Sequence, residues 1–488
     1  MESEWFLLLG SILLGWYIFG KKVVRNMNEW YYDNKLRKKE YPLPPGDMGW
    51  PIVGNLWPFY KYFSSGQPDT FINNIVNKYG RNGIYKTHLF GTPSIIVTAP
   101  AICKKILVDD VNFKLSYPKA LIQLTQPRRA NMKHRNLKRL LMAPMAGHNV
   151  LAMYLEFVED VVINKLEELS SMKHPIELLN ETRNITFNVI LHIFIGPFDQ
   201  AVFKKFGDLF SIMSTGLYTI VPINAPFLPF RKALQARKKL CKIGQSIIEE
   251  RRKMKKNGQI GEKKYLVDIL MEVDDNMGKN LEDEIIINYL ILYLFAGHES
   301  TATLMMLSIT YLTQNPLCLK KAKEEQEEIV KARPSTQKGL SIMEIKKMVY
   351  LSQIINETLR LANNAFAIFR EATTDINFDG YCIPKGWKVI VWPRAIHMNP
   401  EFHSDSGAFN PDRWNDYNSA TGTFIPFGVG PRLCPGNDLT IFETSIFLHH
   451  FLLNYKLERI NPECAFTNLP TNKPIDNCLA KIVKLSSS

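Results

Sequence analysis

Leu281 to Asn315 is the longest helical candidate in the chain, and apolar residues occupy nearly every face of it. It opens on Glu282, Asp283 and Glu284, the sign of charge that a helix N-terminus favours. A helix apolar all round has to be buried, so the rest of the chain must surround it. Its middle breaks the pattern with Ala296-Gly297-His298-Glu299-Ser300-Thr301. Glycine weakens a helix interior, and a buried carboxylate is unfavourable unless partnered. Two such violations side by side mark a candidate functional site.

The 488 residues allow up to about three domains. With 46% hydrophobic and 22% charged residues the composition is that of a globular protein, which excludes a disordered, collagen-like or polytopic membrane chain. The net charge of +13 suits nucleic acid, an anionic membrane or an acidic partner protein. No nucleic-acid recognition motif accompanies it. Seven cysteines without a CxxC pair argue against a zinc module or a disulfide scaffold, and for a reducing compartment with one special cysteine.

Trp5 to Gly20 is free of charge. At about 1.5 Å per residue it spans roughly 24 Å as a helix, and Val23 and Val24 extend it. Glu2 and Glu4 precede it; Lys21, Lys22 and Arg25 follow, which places the following chain on the cytosolic side. An acidic start and the ending FGKK fit an uncleaved anchor better than a cleaved signal peptide. The expected layout is an anchor over 1–22, a basic and Pro-rich hinge over 23–54, and a catalytic domain over 55–488. Pro42, Pro44, Pro45 and Pro51 fit a stiff extended arm between anchor and body, although on this segment alone an ordinary Pro-rich linker is the better reading.

Short β-type runs start at Gly83, Ser94 and Trp387. Apolar spacing predicts helices over 152–171, 233–256, 342–361 and about 438–454. Tyr218 to Phe230 is apolar and broken by proline, so it reads as a buried loop or as a flexible, membrane-dipping lid.

Pro426-Phe427-Gly428-Val429-Gly430-Pro431-Arg432-Leu433-Cys434-Pro435-Gly436 is the densest chemical signal. Its glycines let backbone approach something bulky. A thiolate just before a helix is stabilised by the backbone dipole, and amides aimed at its sulfur tune a bound metal. Arg432 is placed to pair with an anion.

This string resembles the cysteine loop of the cytochrome P450 haem-thiolate monooxygenases at every defining position. The resemblance implies the cytochrome P450 fold, mainly α with smaller β sheets, preceded by one transmembrane helix. It implies haem b, with Cys434 as the iron ligand, Phe427 and Gly436 beside the haem, and Arg432 on a propionate. Glu357-Thr-Leu-Arg360 resembles the ExxR pair, with Arg413 as third member, a charge cluster that fixes the core behind the haem. Arg370 resembles the arginine that reaches the other propionate. AGHEST resembles the oxygen-activation segment, where Glu299 relays protons with an alcohol, either Ser300 or Thr301. His298 is at a variable position and reads as a helix-surface or packing residue rather than a ligand.

The sequence departs from the family pattern at Ser300, which stands where a threonine is usual, and more strongly in the region before residue 139. Lys138, four residues after His134, takes the place of a propionate-binding arginine, and the loop from Leu121 to Lys133 is short. The run from Arg128 to Arg139 is basic, which suits propionate pairing and docking of an acidic NADPH–cytochrome P450 reductase.

The resemblance covers essentially the whole chain and is finest to plant enzymes of the endoplasmic-reticulum membrane that oxidise terpenoids, the group of ent-kaurenoic acid oxidase and β-amyrin 11-oxidase. It implies a β-amyrin-type triterpene oxidised at C-11, with a diterpene acid as the alternative. A haem isomerase or dehydratase and a decayed, non-catalytic haem- or sterol-like-binding paralogue are the competing readings; the retained Glu299 and its neighbouring alcohols argue against the first, and only the short loop before His134 and Lys138 support the second. The candidate pocket segments, Leu121 to Leu124, Tyr218 to Phe230, Ala365 to Phe369 and Phe466 to Pro470, are apolar, as a hydrocarbon-like ligand requires.

Overall fold

The computed structural model describes residues 23–34, 36, 40–125, 142–217, 219, 222–259, 264–273, 280–364, 366–417, 422–469 and 471–485. The expected anchor, His134, Lys138 and the loop before them from residue 126 on lie outside the described residues, as do Tyr218, Ile220, Val221, Ala365 and Pro470. The described chain forms two compact units, one of residues up to 117 with 366–399 and 422–423, the other of 118–364, 400–417 and 424–485.

The first unit is built on a six-stranded sheet of order β1-β2-β3-β9-β6-β4. Its strands are β1 (Gly46–Asp47), β2 (Ile84–Leu89), β3 (Thr92–Val97), β4 (Phe113–Leu115), β6 (Ile368–Ala372) and β9 (Lys388–Val391), with β7 (Ile376–Phe378) and β8 (Tyr381–Ile383) as a separate hairpin. β3 and β9 are parallel, Ser94 opposite Lys388 and Val97 opposite Val391. All of β2 is buried, in keeping with its β-branched and aromatic content. Residues 42–47 of the proline segment are extended and their carbonyls are used, whereas Pro51 lies in a turn closed by the Gly54 N–H donating to the Trp50 carbonyl at 2.7 Å. Pro42 accepts from the Cys382 N–H at 2.8 Å and Pro45 from the Lys86 N–H at 3.0 Å. The unit also holds helices α1 (Leu56–Ser64), α2 (Pro68–Tyr79), α3 (Pro100–Val108) and α15 (Pro393–His397), and residues 23–34 are helical as well. Phe59, Phe63, Phe71 and Trp392 cluster there, with Phe71 stacked on Trp392 at 5.8 Å.

The second unit is largely helical. Its helices are α4 (Lys119–Thr125), α5 (His148–Ala152), α6 (Leu155–Ser171), α7 (Leu178–Ile195), α8 (Gln200–Leu217), α9 (Pro229–Lys256), α10 (Leu266–Met271), α11 (Asp283–Gln314), α12 (Pro316–Lys331), α13 (Ile342–Lys347), α14 (Val349–Ala362) and α16 (Asn437–Asn454). β5 (Ile176–Glu177), β10 (Tyr455–Arg459) and β13 (Leu479–Lys484) form a three-stranded sheet, and β11 (Phe466–Thr467) pairs with β12 (Lys473–Pro474). α11 is the predicted apolar helix, packed against α7, α9, α14 and α16. Among the described residues it alone is long and apolar enough to cross a bilayer, and more than half of that span is buried in protein instead.

Two readings of the sequence change. The helix expected over 342–361 is two helices, broken at Met348 with ψ 65°. α13 has its own capping box, Ser341 with Glu344. α14 is capped from outside, because the Glu325 carboxylate on α12 accepts from the Tyr350 N–H at 2.6 Å and the Leu351 N–H at 3.0 Å. That carboxylate satisfies orphan amides of the first turn and lets a new helix start. In the loop before α9, Phe227 is 93% and Ile223 51% exposed, which removes the buried-loop reading for those residues.

Candidate active site

The cysteine loop is a pair of tight turns. Gly428 and Gly430 have φ of 74° and 76°, a left-handed backbone that residues with a Cβ seldom adopt. The Gly428 N–H donates to the Ile425 carbonyl at 3.1 Å, the Leu433 N–H to Gly430 at 3.1 Å, and the Cys434 N–H to Phe427 at 3.0 Å. These bonds hold Phe427, Arg432 and Cys434 on one short loop that runs into α16 with Gly436 as its N-cap residue. Cys434 is half-buried, whereas Cys103, Cys382 and Cys478 are buried. Burial pushes the Cys103 and Cys478 thiols up, so neither is suited to metal binding.

On α11 the AGHEST segment turns its small and polar side chains in different directions. Ala296 is exposed although most of the helix is buried, and Ser300, one turn on, is half-buried with its hydroxyl donating to the Ala296 carbonyl at 2.9 Å. Thr301 is buried, and its hydroxyl lies 3.1 Å from that of Thr440 on α16. That contact ties α11 to the helix that follows Cys434. Ser300 thus lies on the Ala296 side of the helix, and Thr301 meets α16.

Glu299 is buried and held by Arg183 of α7 in a fork, Nε to Oε2 at 2.7 Å and Nη2 to Oε1 at 2.6 Å. Two threonines of α7 bond the same stretch of α11, Thr186 to the His298 carbonyl and Thr182 to that of Ala302, both at 3.0 Å. Gly297 allows this approach, since a Cβ there would stand 2.7 Å from Ile190 Cδ1. The His298 ring packs edge-on against Phe187 and Phe210, and burial brings its pKa down to about 4. It is a neutral packing residue, as its variable position suggested. Arg183 had no signal in the sequence: it stands 116 residues from Glu299, on a helix with no chemical motif.

The charge cluster assembles as expected. Glu357 and Arg360 are fully buried and Arg413 nearly so. The Glu357 carboxylate accepts five hydrogen bonds, from Arg360 Nε at 2.9 Å and Nη2 at 2.8 Å, Arg413 Nε at 3.0 Å, the Asn410 N–H at 3.0 Å and Trp414 Nε1 at 3.1 Å. Arg360 Nη1 then donates to the Ser406 carbonyl at 2.7 Å and Arg413 Nη1 to that of Ser404 at 2.8 Å. The cluster fastens α14 to the 404–414 segment through charge-assisted bonds.

Arg370 lies on β6 of the first unit, buried, opposite Leu115 and Val389. A small apolar cavity, lined by Leu191, Phe206, Leu240, Ile287 and Leu294 among others, lies in the second unit. At about 100° per residue, Ile287 and Leu294 are on the face of α11 opposite Ala296 and Ser300, so this cavity is a packing void apart from the site.

The residues fit a haem. They offer one half-buried thiol on a loop leading into a helix, and small side chains exposed on an otherwise buried helix tied to it. Among the described residues no three His, Cys, Asp or Glu side chains cluster to cage a metal. A single soft thiol ligand suits the iron of a haem, whose remaining ligands would not come from a protein cage.

Glu443 on α16 is a further buried acid, and neither of its oxygens has a hydrogen-bond partner among the described residues. Burial raises its pKa well above the ordinary carboxyl value. The folded state thus holds the proton more tightly than the unfolded one. The stability it contributes is full below the unfolded pKa of about 4.3 and declines as pH rises through the higher folded value. Glu443→Gln is expected to melt like the parent at about pH 4 and above it at about pH 8; equal melting at the higher pH would show the carboxylate to be hydrated or paired.

The cytochrome P450 family profile matches residues 44–474. The chain is 60% identical over 492 aligned positions to β-amyrin 11-oxidase of Glycyrrhiza uralensis, covering all of both chains. It is 44% identical to ent-kaurenoic acid oxidase 2 of Arabidopsis thaliana, covering 98% of each. Among solved structures it matches the retinoic acid-bound cyanobacterial CYP120A1 with a TM-score of 0.79 and 26% identity, covering 91% of this chain and 100% of that one. Haem is accordingly the cofactor, and the reaction requires a redox partner and a small organic substrate. The fold, the cysteine loop and these likenesses agree, and the chain belongs to the cytochrome P450 family of haem-dependent monooxygenases.

Proposed function

We propose that this chain hydroxylates a C–H bond of a terpenoid, a β-amyrin-type triterpene at C-11, with the catalytic domain on the cytosolic face of the endoplasmic-reticulum membrane and Trp5 to Gly20 as a single-pass anchor. The observation that carries this reading is the 60% identity, over the full length of both chains, with β-amyrin 11-oxidase. The overall reaction takes one dioxygen, two electrons and two protons; one oxygen enters the C–H bond and the other leaves as water. NADPH–cytochrome P450 reductase would supply the electrons, and the net charge of +13 suits an acidic flavoprotein.

Cys434 would ligate the haem iron, with Phe427 and Gly436 beside the ring and Arg432 and Arg370 on its propionates; His134 and Lys138 are further candidates for that pairing. When bound, the haem would supply oxygen activation, which a thiolate ligand such as that of Cys434 would promote. Glu299 and Ser300 would move the protons. The cluster of Glu357, Arg360 and Arg413 would keep the protein behind the haem rigid.

The test is incubation of microsomes holding this protein and a plant reductase with β-amyrin or with ent-kaurenoic acid. An NADPH-dependent product one oxygen heavier, or its ketone, is expected from β-amyrin. The likeness to ent-kaurenoic acid oxidase 2 makes the diterpene acid the second substrate, and turnover of that acid alone would replace the triterpene reading. Turnover of neither, with an intact carbon monoxide spectrum, would reject both.

A further inference from the structure

A continuous run of side-chain hydrogen bonds leads from Glu299 to the β11–β12 hairpin. Arg183 grips Glu299 with Nε and Nη2, and its Nη1 donates to Asn180 Oδ1 at 2.8 Å. Asn180 Nδ2 donates to Glu177 Oε2 at 2.6 Å, and Asn477 Nδ2 donates to that same oxygen at 2.7 Å. Lys473 Nζ on β12 closes the run, donating to Asn477 Oδ1 at 2.7 Å. The charges alternate along it: carboxylate, guanidinium, carboxylate, ammonium. Both amides present oxygen to a cation and nitrogen to a carboxylate, so one orientation of each satisfies every bond.

The two ends are also fixed through the backbone. The first-turn N–H groups of α7, at Leu178 and Leu179, donate to the Cys478 and Asn477 carbonyls, both at 3.1 Å. Asn477 and Cys478 have φ of 55° and 60°. Consecutive left-handed residues with side chains persist only where the surroundings over-determine them, and such strain gathers at functional sites. Burial first, and Arg183 second, hold the Lys473 ammonium below its ordinary pKa, against the opposing pull of Glu299 and Glu177.

We propose that Arg183 is a positioning residue for Glu299, and that the β11–β12 hairpin sets the pose of Arg183 through Lys473, Asn477, Glu177 and Asn180. This rests on Glu299 being the proton-relay acid. An arginine held by one edge alone could swing about its long side chain; held at Nη1 as well, it fixes the carboxylate in one place. The hairpin then governs how tightly oxygen use is tied to product formation.

The test uses the full-length haem protein with reductase and the substrate that turns over. Lys473→Met and Asn477→Ala are expected to keep the carbon monoxide band of the parent, to lower product per NADPH consumed by about two- to fivefold, and to change the solvent isotope effect on product formation. Lys473→Arg, which keeps a donor and a charge, should restore the parent values; a mere packing role would not discriminate in this way. A second readout needs no turnover. Glu299→Gln combined with Asn477→Ala should shift the thermal midpoint by an amount different from the sum of the single shifts. Parent-like coupling in Lys473→Met and Asn477→Ala, or additive midpoint shifts, with Glu299→Gln itself uncoupled, would overturn the network and leave the relay intact. Parent-like coupling in Glu299→Gln would overturn the relay and the network together.

Discussion

Cys434→Ala is expected to abolish product formation and to remove the strongly red-shifted Soret band that the reduced parent gives with carbon monoxide. The loop around residue 434 has one sulfur, delivered by two left-handed glycines and the Cys434–Phe427 backbone bond at 3.0 Å. Alanine fits the same backbone, so the variant should fold and only the ligand is lost. Cys434→Ser, which offers oxygen in place of sulfur, should likewise lose the band. Two spectra, of parent and variant expressed side by side, decide the matter. A persistent red-shifted band in Cys434→Ala would assign the thiolate to another cysteine. Cys103, Cys382 and Cys478 are poor candidates, since all three are buried.

Glu357→Ala should be the most destabilising single substitution in the second unit. It removes the acceptor of five hydrogen bonds and leaves Arg360, fully buried, without its carboxylate. Removing one partner of a buried ion pair costs about 3–5 kcal/mol, a large share of the roughly 5–15 kcal/mol that holds a typical domain together. The expected results are little haem-loaded protein and a thermal midpoint well below the parent's. Glu357→Gln keeps the shape and one acceptor oxygen and should fall in between. A parent-like midpoint for Glu357→Ala would mean that water or relaxation replaces the carboxylate, and the cluster would lose its structural role.

The parts of this architecture that local pattern controls could be read in advance. An all-round apolar helix has to sit inside, and α11 does. The glycine spacing around Cys434 encodes its own turns. Glu357 and Arg360 are one helical turn apart, so their pairing is local, while the arrival of Arg413 rested on likeness to a family. What escaped prediction depends on residues far apart in the chain. The break at Met348 arises because Glu325, on a neighbouring helix, caps α14. Arg183 meets Glu299 only after α7 and α11 have packed. Which of Ser300 and Thr301 relays protons was undecided by sequence, because both are alcohols; in the fold Ser300 bonds the Ala296 carbonyl and Thr301 meets Thr440. Glu443 had no motif to draw attention to it, and only its burial makes it unusual.

The order of strands in the first unit has a consequence for synthesis on the ribosome. β3 is complete at Val97, yet its parallel neighbour β9 begins at Lys388. At roughly 5–20 residues per second, the intervening stretch of about 290 residues takes on the order of 15–60 s to emerge. Throughout that interval the nascent chain carries a β-hairpin with one apolar edge unpaired, the state from which strand-to-strand aggregation starts. Such a chain needs an escort until its own distant segment arrives, and truncated transcripts that stop before residue 388 should yield insoluble protein rather than a smaller working one.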